Sequence, residues 1–291
     1  MRGVTDNLPV FTIVGASGFV GSNLLRYLRD RRHVCHAPDR GAATLFDRDL
    51  GNVIYCAGLT ADFRSRLHDT VEAHVSLLNR LLESGKFDSL VYLSSTRVYI
   101  HSDSTGETAR LGVIPQEPED LFNLSKLMGE AICLHAGRRN VKIARLSNVL
   151  GPDFGSDNFV FALIRAAVES GRIELQTTLE SEKDYVHIDD VIELLPRIAL
   201  EGAQQIYNLA FGQNQSNAEI VSRICQAVAA TVTVSRHART IRFNPISIAR
   251  IRDEFDFSPR PVLPLVAELA RACQTKMSTG GVIPVVPVEP E

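Results

Sequence analysis

Lys126 stands four residues after Phe122 in the stretch LFNLSKLMGE, residues 121–130. Helical positions i and i+4 share one face, one turn apart. A lysine so placed beside a tyrosine would lower the phenol's pKa and form an acid–base pair. The ring here carries no hydroxyl, so either the lysine has another role or Phe122 simply packs a helix face. A second group lies near the start: Gly15, Gly18 and Gly21 in VGASGFVG, with Ser17, Phe19 and Val20 between them. Glycines at this spacing permit a tight turn and close approach of backbone to a pyrophosphate, and the helix that follows offers free N–H groups. Asp39 follows Gly21 by 18 residues, where a carboxylate accepts hydrogen bonds from adenosine ribose hydroxyls. Its charge disfavours a 2′-phosphate, so NAD is expected in preference to NADP, although neighbouring Arg40 leaves NADP open.

These residues need elements to hold them. VFTIV at 10–14 is a short apolar run before the glycines, and GSNLLRYLRDRR after them has helical spacing. HVCHAPD at 33–39 reads as a second strand ending at Asp39. NVIYCAG at 52–58 and SLVYLSS at 89–95 are further strands, separated by a helix around VEAHVSLLNRLLESG. EDLFNLSKLMGEAICLHAG predicts a helix closed by Gly137, and VKIARLSNV at 141–149 another buried strand. Strands alternating with helices predict an α/β fold, a Rossmann-type doubly wound parallel sheet covered on both faces.

From Gly151 the texture changes. GPDFGSD reads as a loop, NFVFALIRAAVESG as a helix and IELQ as a short strand. DYVHIDDVIELLPRIAL is a strand turning into a helix, and AEIVSRICQAVAATV a further helix. This is the pattern of a smaller α/β lobe interleaved with the first. The expected division is 1–150 for a dinucleotide-binding domain, which also receives a segment near 186–210, and 151–276 mainly for a substrate lobe. The Pro and Gly spacing of MSTGGVIPVVPVEPE predicts a disordered tail over 277–291.

The 291 residues are 45% hydrophobic and 22% charged, ordinary values for a globular protein. A formal net charge of −3 gives no broad basic field for nucleic acid or an anionic membrane. Cys35, Cys56, Cys133, Cys225 and Cys273 show no metal-ligand spacing, so no metal is expected. Their odd count and wide separation fit reduced thiols in a cytoplasm. No apolar run approaches the roughly 18–20 residues of a membrane span. MRGVTDNLP has no hydrophobic core of a secretory signal.

Four stretches in order, GASGFVG at 15–21, VYLSSTRVY at 91–99, FNLSKLMGE at 122–130 and KDYVHIDD at 183–190, carry a family resemblance, and RLSNVLGP at 145–152 adds a fifth. From Phe11 to about Pro264 the chain resembles the extended short-chain dehydrogenase/reductases, the NAD-dependent epimerase/dehydratase group. The resemblance implies a second domain that binds a nucleotide-activated sugar, with hydride exchange at a sugar carbon. It implies that Ser95 hydrogen-bonds the reacting sugar oxygen and that Lys126 grips the nicotinamide ribose. Phe122 then occupies the position of the catalytic tyrosine. Ala57 and Gly58, after the third strand, join the glycine loop, Asp39 and Arg40 in the implied cofactor set.

For the substrate, the resemblance assigns Lys183 and Asn158 to the nucleotide diphosphate and Asn148 to the neighbourhood of sugar and nicotinamide. Thr60, Asp62 and Arg64 follow the third strand, and Thr96 follows the fourth. Loops at the carboxyl ends of strands are where open α/β sheets bind ligands, and solvated loop residues are the alternative for this set. Dehydratases of the group resemble T-D-E where this chain has Ser95, Thr96 and Arg97, so dehydration is disfavoured. His74 stands at the asparagine of N-V-x-G-T, and a buried histidine satisfied by backbone is its plainer reading. Tyr99, His101, Asp62, a water on Ser95 or a base on the substrate are the candidates for the missing hydroxyl's role.

The expected function is an NAD-dependent nucleotide-sugar epimerase or reductase/dehydrogenase with an altered proton relay. The alternative is a catalytically impaired NAD-binding regulatory or binding protein on the same fold. Helices near 66–84 and 119–136 resemble a pair that forms a four-helix interface, which implies a homodimer.

Overall fold

A computed structural model describes residues 8–39, 45–60, 63–156 and 158–279. The elements run β1 (Phe11–Val14), α1 (Phe19–Asp30), β2 (Cys35–His36), β3 (Asn52–Tyr55), α2 (Leu67–Val71), a π-helical turn (Glu72–Ser76) and α3 (Leu77–Ser84). Next come β4 (Ser89–Ser95), a 3₁₀ turn (Thr96–Tyr99), α4 (Asp120–His135), β5 (Val141–Leu146), β6 (Asn148–Leu150), α5 (Phe159–Ser170) and β7 (Arg172–Thr177). The chain continues through β8 (Glu182–Lys183), β9 (Tyr185–His187), α6 (Ile188–Glu201), β10 (Ile206–Leu209) and β11 (Gln215–Ser216). It closes with α7 (Asn217–Ala227), β12 (Thr231–Arg239), α8 (Ala249–Phe255) and α9 (Val262–Ser278).

The described residues divide into two compact units. The first takes the chain through Leu146 together with Ile188–Leu209 and Ile248–Phe257. Its six strands pair in the order β10-β5-β4-β3-β1-β2, every pair parallel. β1, β3 and β5 are buried at every position, as strands covered on both faces must be. Leu78 and Leu81 of α3 and Cys133 of α4 pack with Tyr55, Leu90 and Tyr92. α6 packs against β3, β4 and β5 and meets α1. Each fully buried Leu or Val of this kind contributes about 1.5–3 kcal/mol.

Topology also locates a ligand crevice. From β1 the chain steps to β2 on one side, then returns to place β3 on the other. In open α/β sheets ligands bind at this reversal, beyond the carboxyl ends of the strands. The loops after β1 and β3 therefore border this crevice.

The second unit takes Ser147–His187, Ala210–Ser247 and the chain from Ser258. β7 pairs with β12 and β6 with β9 in parallel, and β8 with β11 antiparallel. Ile164, Leu175, Ile220, Ile224 and Val266 lie in its core. Asn158 and Ser216 cap α5 and α7, the latter with a full capping box to Glu219. Gly171 ends α5 with φ +66°.

Several expected boundaries move. The second strand keeps two residues of the seven expected, Cys35 and His36, and Pro38 beyond them has no N–H to extend an edge ladder. The helix over 71–85 is interrupted by the π turn. The strand expected over 141–149 divides at Ser147, β6 pairing with β9. α9 carries regular structure through Ser278, so the expected disorder does not begin at Met277, whose helix buries Val266, Leu269 and Cys273. Residues 280–291 of that tail lie outside the described residues.

Candidate functional site

After Val14 the chain turns at Gly15, whose φ is +86°. Only glycine adopts this without strain, and a Cβ there would stand 2.6 Å from the Ala57 nitrogen. The loops after β1 and β3 therefore touch backbone to backbone. Gly18 donates its N–H to Gly15 O at 3.1 Å and begins α1 with no side-chain cap and no acid in the first turn. A Cβ on Gly21 would collide with the Gly15 carbonyl. Ser17 and Gly18 are exposed, while Phe19 and Val20 are half-buried. Among the described residues no side chain caps the N–H groups at the start of α1, and such groups suit an anion such as a pyrophosphate. Asp39 is exposed three residues beyond β2. Arg40 and Asp62 lie outside the described residues.

Phe122 and Lys126 both lie on α4, one turn apart and both buried. The Lys126 Nζ donates to the Leu93 carbonyl at 3.0 Å and stands 5.2 Å from the Tyr92 ring centre. A Cβ added to Gly58 would lie 3.2 Å from that nitrogen, so the loop after β3 closes over it. Burial draws the Lys126 pKa from 10.5 down to about 7, with Glu130 opposing the shift. Beside it, burial pushes the Cys56 thiol up to about 12, which keeps it protonated and makes it a poor proton donor.

The Phe122 ring packs with Leu59 and Phe63 and meets the His74 ring edge-on at 5.5 Å. It therefore fills a small apolar cluster while holding its place beside Lys126. Ser95 ends β4, and its Oγ accepts the Arg97 N–H at 3.2 Å. The Arg97 guanidinium in turn stands 5.7 Å from the Phe122 ring centre and pairs with Glu119, which also holds Arg64. Thr96 is half-buried in the turn after Ser95, and Thr60 is exposed after β3.

The other candidate proton carriers are engaged elsewhere. Tyr99 donates its hydroxyl to Asn208 Oδ1 at 2.8 Å and accepts from Arg145 at 2.6 Å. Burial raises its pKa. His101 Nε2 pairs with Asp120 Oδ2 at 2.9 Å. His74 Nε2 accepts the Leu59 N–H at 3.1 Å, so its Nδ1 carries the proton shared with Ser125 Oγ at 2.8 Å. Burial, then the charge of Lys126, lowers the His74 pKa to about 2. This histidine is neutral and satisfied, by one backbone group and one hydroxyl.

Sequence reasoning missed the support beneath the site. Glu130 accepts Arg145 through Nε at 2.9 Å and Nη2 at 2.6 Å, and Ser94 Oγ at 2.5 Å. Its spacing of four from Lys126 was the available signal. Arg97 and Glu119 had no comparable signal, because their pairing spans 22 residues of chain.

In the second unit, Asn158 Oδ1 accepts the Phe161 N–H at 3.1 Å as the cap of α5. Asn148 Nδ2 donates to the Asp184 carbonyl at 2.8 Å. The Asp184 carboxylate accepts from Phe211 N and Gly212 N, and burial raises its pKa to about 6. The Lys183 Nζ lies 4.6 Å from the Phe159 ring centre. Phe159 and Lys183 line a cavity of about 270 Å³ with Leu163, Glu174, Gln176 and Ile241. The residues expected for cofactor and chemistry thus lie in the first unit, and Asn148, Asn158 and Lys183 in the second.

A parallel doubly wound sheet with this glycine turn at its reversal is a Rossmann-type α/β fold. Residues 11–210 match the NAD dependent epimerase/dehydratase family, and the chain belongs to it. No curated protein sequence matches the chain. Among solved structures, the UDP-glucuronic acid 4-epimerase of Bacillus cereus in complex with NAD is 20% identical with a TM-score of 0.76, covering 93% of this chain and 98% of that one. The dTDP-glucose 4,6-dehydratase of Bacillus anthracis in complex with NAD is 19% identical with a TM-score of 0.72, at coverages of 93% and 98%. RMD from Pseudomonas aeruginosa complexed with NADPH is 22% identical with a TM-score of 0.72, at coverages of 94% and 98%. At these identities the likeness establishes the fold.

Proposed function

We propose that the protein is an NAD-dependent nucleotide-sugar epimerase or reductase/dehydrogenase whose proton transfer does not use a phenol. The observation that carries this reading is Lys126: a buried lysine on the Leu93 carbonyl, closed over by the loop after β3. A buried ammonium is costly until further acceptors complete it, and ribose hydroxyls supply such acceptors. Gly15, Gly18 and Gly21, with Ser17, Phe19, Val20, Ala57 and Gly58 around them, would hold the pyrophosphate, and Asp39 the adenosine ribose. NAD, when bound, takes or returns a hydride. Ser95 orients the reacting oxygen, and Lys126 fixes the cofactor and adds positive charge beside it. Asn148, Asn158, Lys183, Thr60 and Thr96 are assigned to the substrate. Thr96 and Arg97, where an acid pair would serve elimination, speak against dehydration.

A second reading, cofactor binding without turnover, is favoured by one observation. Phe122 has no hydroxyl, and Tyr99, His101 and His74 are all engaged in other bonds. The two readings separate in one experiment. The purified protein is assayed for carried dinucleotide, then for NADH formation or oxidation with a panel of nucleotide sugars. Turnover supports the enzyme; bound NAD with no turnover supports the binding protein; no dinucleotide affinity overturns both. Tighter binding of NADP than NAD in calorimetry would overturn the role of Asp39.

We further propose a homodimer through α2, α3 and α4, because Leu67 and Val71 on α2 and Met128 on α4 are exposed and these helices are neighbours. No helix among the described residues is long and apolar enough to cross a membrane. Five scattered thiols support placement in a reducing cytoplasm.

A further inference from the structure

Two arginines share one acid beside Ser95 and Phe122. Glu119 Oε1 accepts Arg64, through Nε at 2.6 Å and through Nη2, while Oε2 accepts Nη2 of Arg97. Against partial burial, the bonds from Arg97 and Arg64 hold the Glu119 carboxyl below its usual range, so it is ionised at neutral pH. Two guanidinium groups on one carboxylate leave an excess positive charge. Arg97 is the more buried arginine, its side chain 29% exposed against 56% for Arg64. Its guanidinium stands 5.6 Å from the Phe63 ring centre and 5.7 Å from that of Phe122. Among the described residues, Glu119 takes one of the five N–H groups of this guanidinium. A two-donor edge is left without an acceptor.

The two rings beside Arg97 offer no oxygen or nitrogen, so the open edge calls for an acceptor from a ligand or solvent. Excess positive charge favours an anion over a neutral hydroxyl. A guanidinium edge meets the two oxygens of a carboxylate with parallel bonds, and such charge-assisted pairs are about twice as strong as neutral ones. A sugar hydroxyl brings one oxygen and no charge. Position narrows the anion further. The Arg97 N–H is bonded to Ser95 Oγ, and Ser95 is the residue assigned to the reacting sugar oxygen. The open edge thus belongs to the sugar end of a nucleotide sugar.

We propose that Arg97 binds a carboxylate carried by the sugar, so that the preferred substrate class is a nucleotide-linked uronate. Glu119 and Arg64 hold the guanidinium in place. The proposal rests on the nucleotide-sugar reading and narrows its sugar. The test is calorimetry on the full chain with two pairs, UDP-glucose with UDP-glucuronate and GDP-mannose with GDP-mannuronate. Within each pair a CH₂OH group is exchanged for a carboxylate and nothing else changes. In a pair whose nucleotide binds, the acidic member should bind about tenfold or more tightly, as one charge-assisted contact allows. Arg97→Gln should remove that preference and leave the neutral member within about twofold. Arg97→Lys keeps the charge without the fork and should retain only part of the preference. A circular dichroism melt verifies each fold, and if Arg97→Gln melts early, wild type and the lysine variant decide. Equal affinity for both members in wild type, or the full preference persisting in the variants, overturns the role of Arg97 and leaves the nucleotide-sugar reading standing. Failure of all four ligands to bind overturns both.

Discussion

The Lys126 ammonium nitrogen lies 5.8 Å from the centre of the Phe122 ring. The Arg97 guanidinium stands 5.7 Å from the same centre, so a phenol at this position would have two cations close to its ring. Positive charge nearby favours phenolate and draws the pKa below the free value of about 10. Phe122→Tyr should therefore raise turnover with an active nucleotide sugar about a hundredfold, within the range of one positioned acid or base. NADH absorbance followed against pH should show a new ionisation in the variant. Equal rates and identical pH profiles would remove position 122 from the reacting centre.

Lys126 itself should leave a mark on stability. Its pKa is about 7 folded against 10.5 unfolded. Between these values the unfolded chain holds a proton that the folded chain lacks, so stability rises with pH across that window. Below pH 7 the full penalty applies. In Lys126→Met the rise should be missing, a difference on the order of a few kcal/mol between pH 7 and 10 in urea denaturation. The same variant should lose about ten- to hundredfold in NAD affinity, as expected for one charged hydrogen-bond donor. Unaltered NAD affinity would return Lys126 to a purely structural place.

For His74 the slope has the same sign in an acid window. The folded state resists protonation until about pH 2, whereas the unfolded residue titrates near 6.5. Stability therefore falls as pH drops below 6.5. His74→Asn keeps a donor for Ser125 Oγ without titrating but is too short to reach the Leu59 N–H. It should cost about 1–3 kcal/mol at pH 7 and lose less than wild type on acidification. His74→Leu leaves the Leu59 N–H unpaired and should cost about 1–3 kcal/mol. Denaturant midpoints at pH 5 and 7 decide between these outcomes.

Glu130 and Arg145 form a pair whose side chains are each 3% exposed. Removing one partner strands a buried charge, so Glu130→Ala should destabilise by about 3–5 kcal/mol. Glu130 also holds the Lys126 pKa up, and in a folded fraction of the variant that lysine should titrate lower. A thermal melt close to wild type would show that other groups satisfy Arg145.

Met128 is 54% exposed on α4, and Leu67 and Val71 are 50% and 43% exposed on α2. If this apolar surface meets its own copy, Met128→Glu places charge in a two-fold contact and should shift the protein to monomer. Sedimentation velocity at micromolar concentration reads the shift. A wild type that sediments as a monomer would end the dimer proposal.

The alternation of short apolar runs with helical periods was enough to specify a parallel doubly wound sheet. Gly15, Gly18 and Gly21 marked the turn after β1, and Lys126 with Phe122 marked one face of α4. These features are local: a period, a turn conformation and an i, i+4 spacing are set by adjacent residues. The partners were not local. Lys126 reaches Leu93 across 33 residues, His74 reaches Ser125 across 51, and Tyr99 reaches Asn208 across 109. Tyr99 and His101 read as proton carriers from the sequence, and packing committed both to other bonds. The shortening of β2, the π turn at His74 and the cap role of Asn158 depend likewise on what each backbone group meets. A chain's own spacing dictates which faces exist; burial and hydrogen-bond satisfaction, settled only when distant segments pack, dictate which side chains on those faces remain available to a ligand.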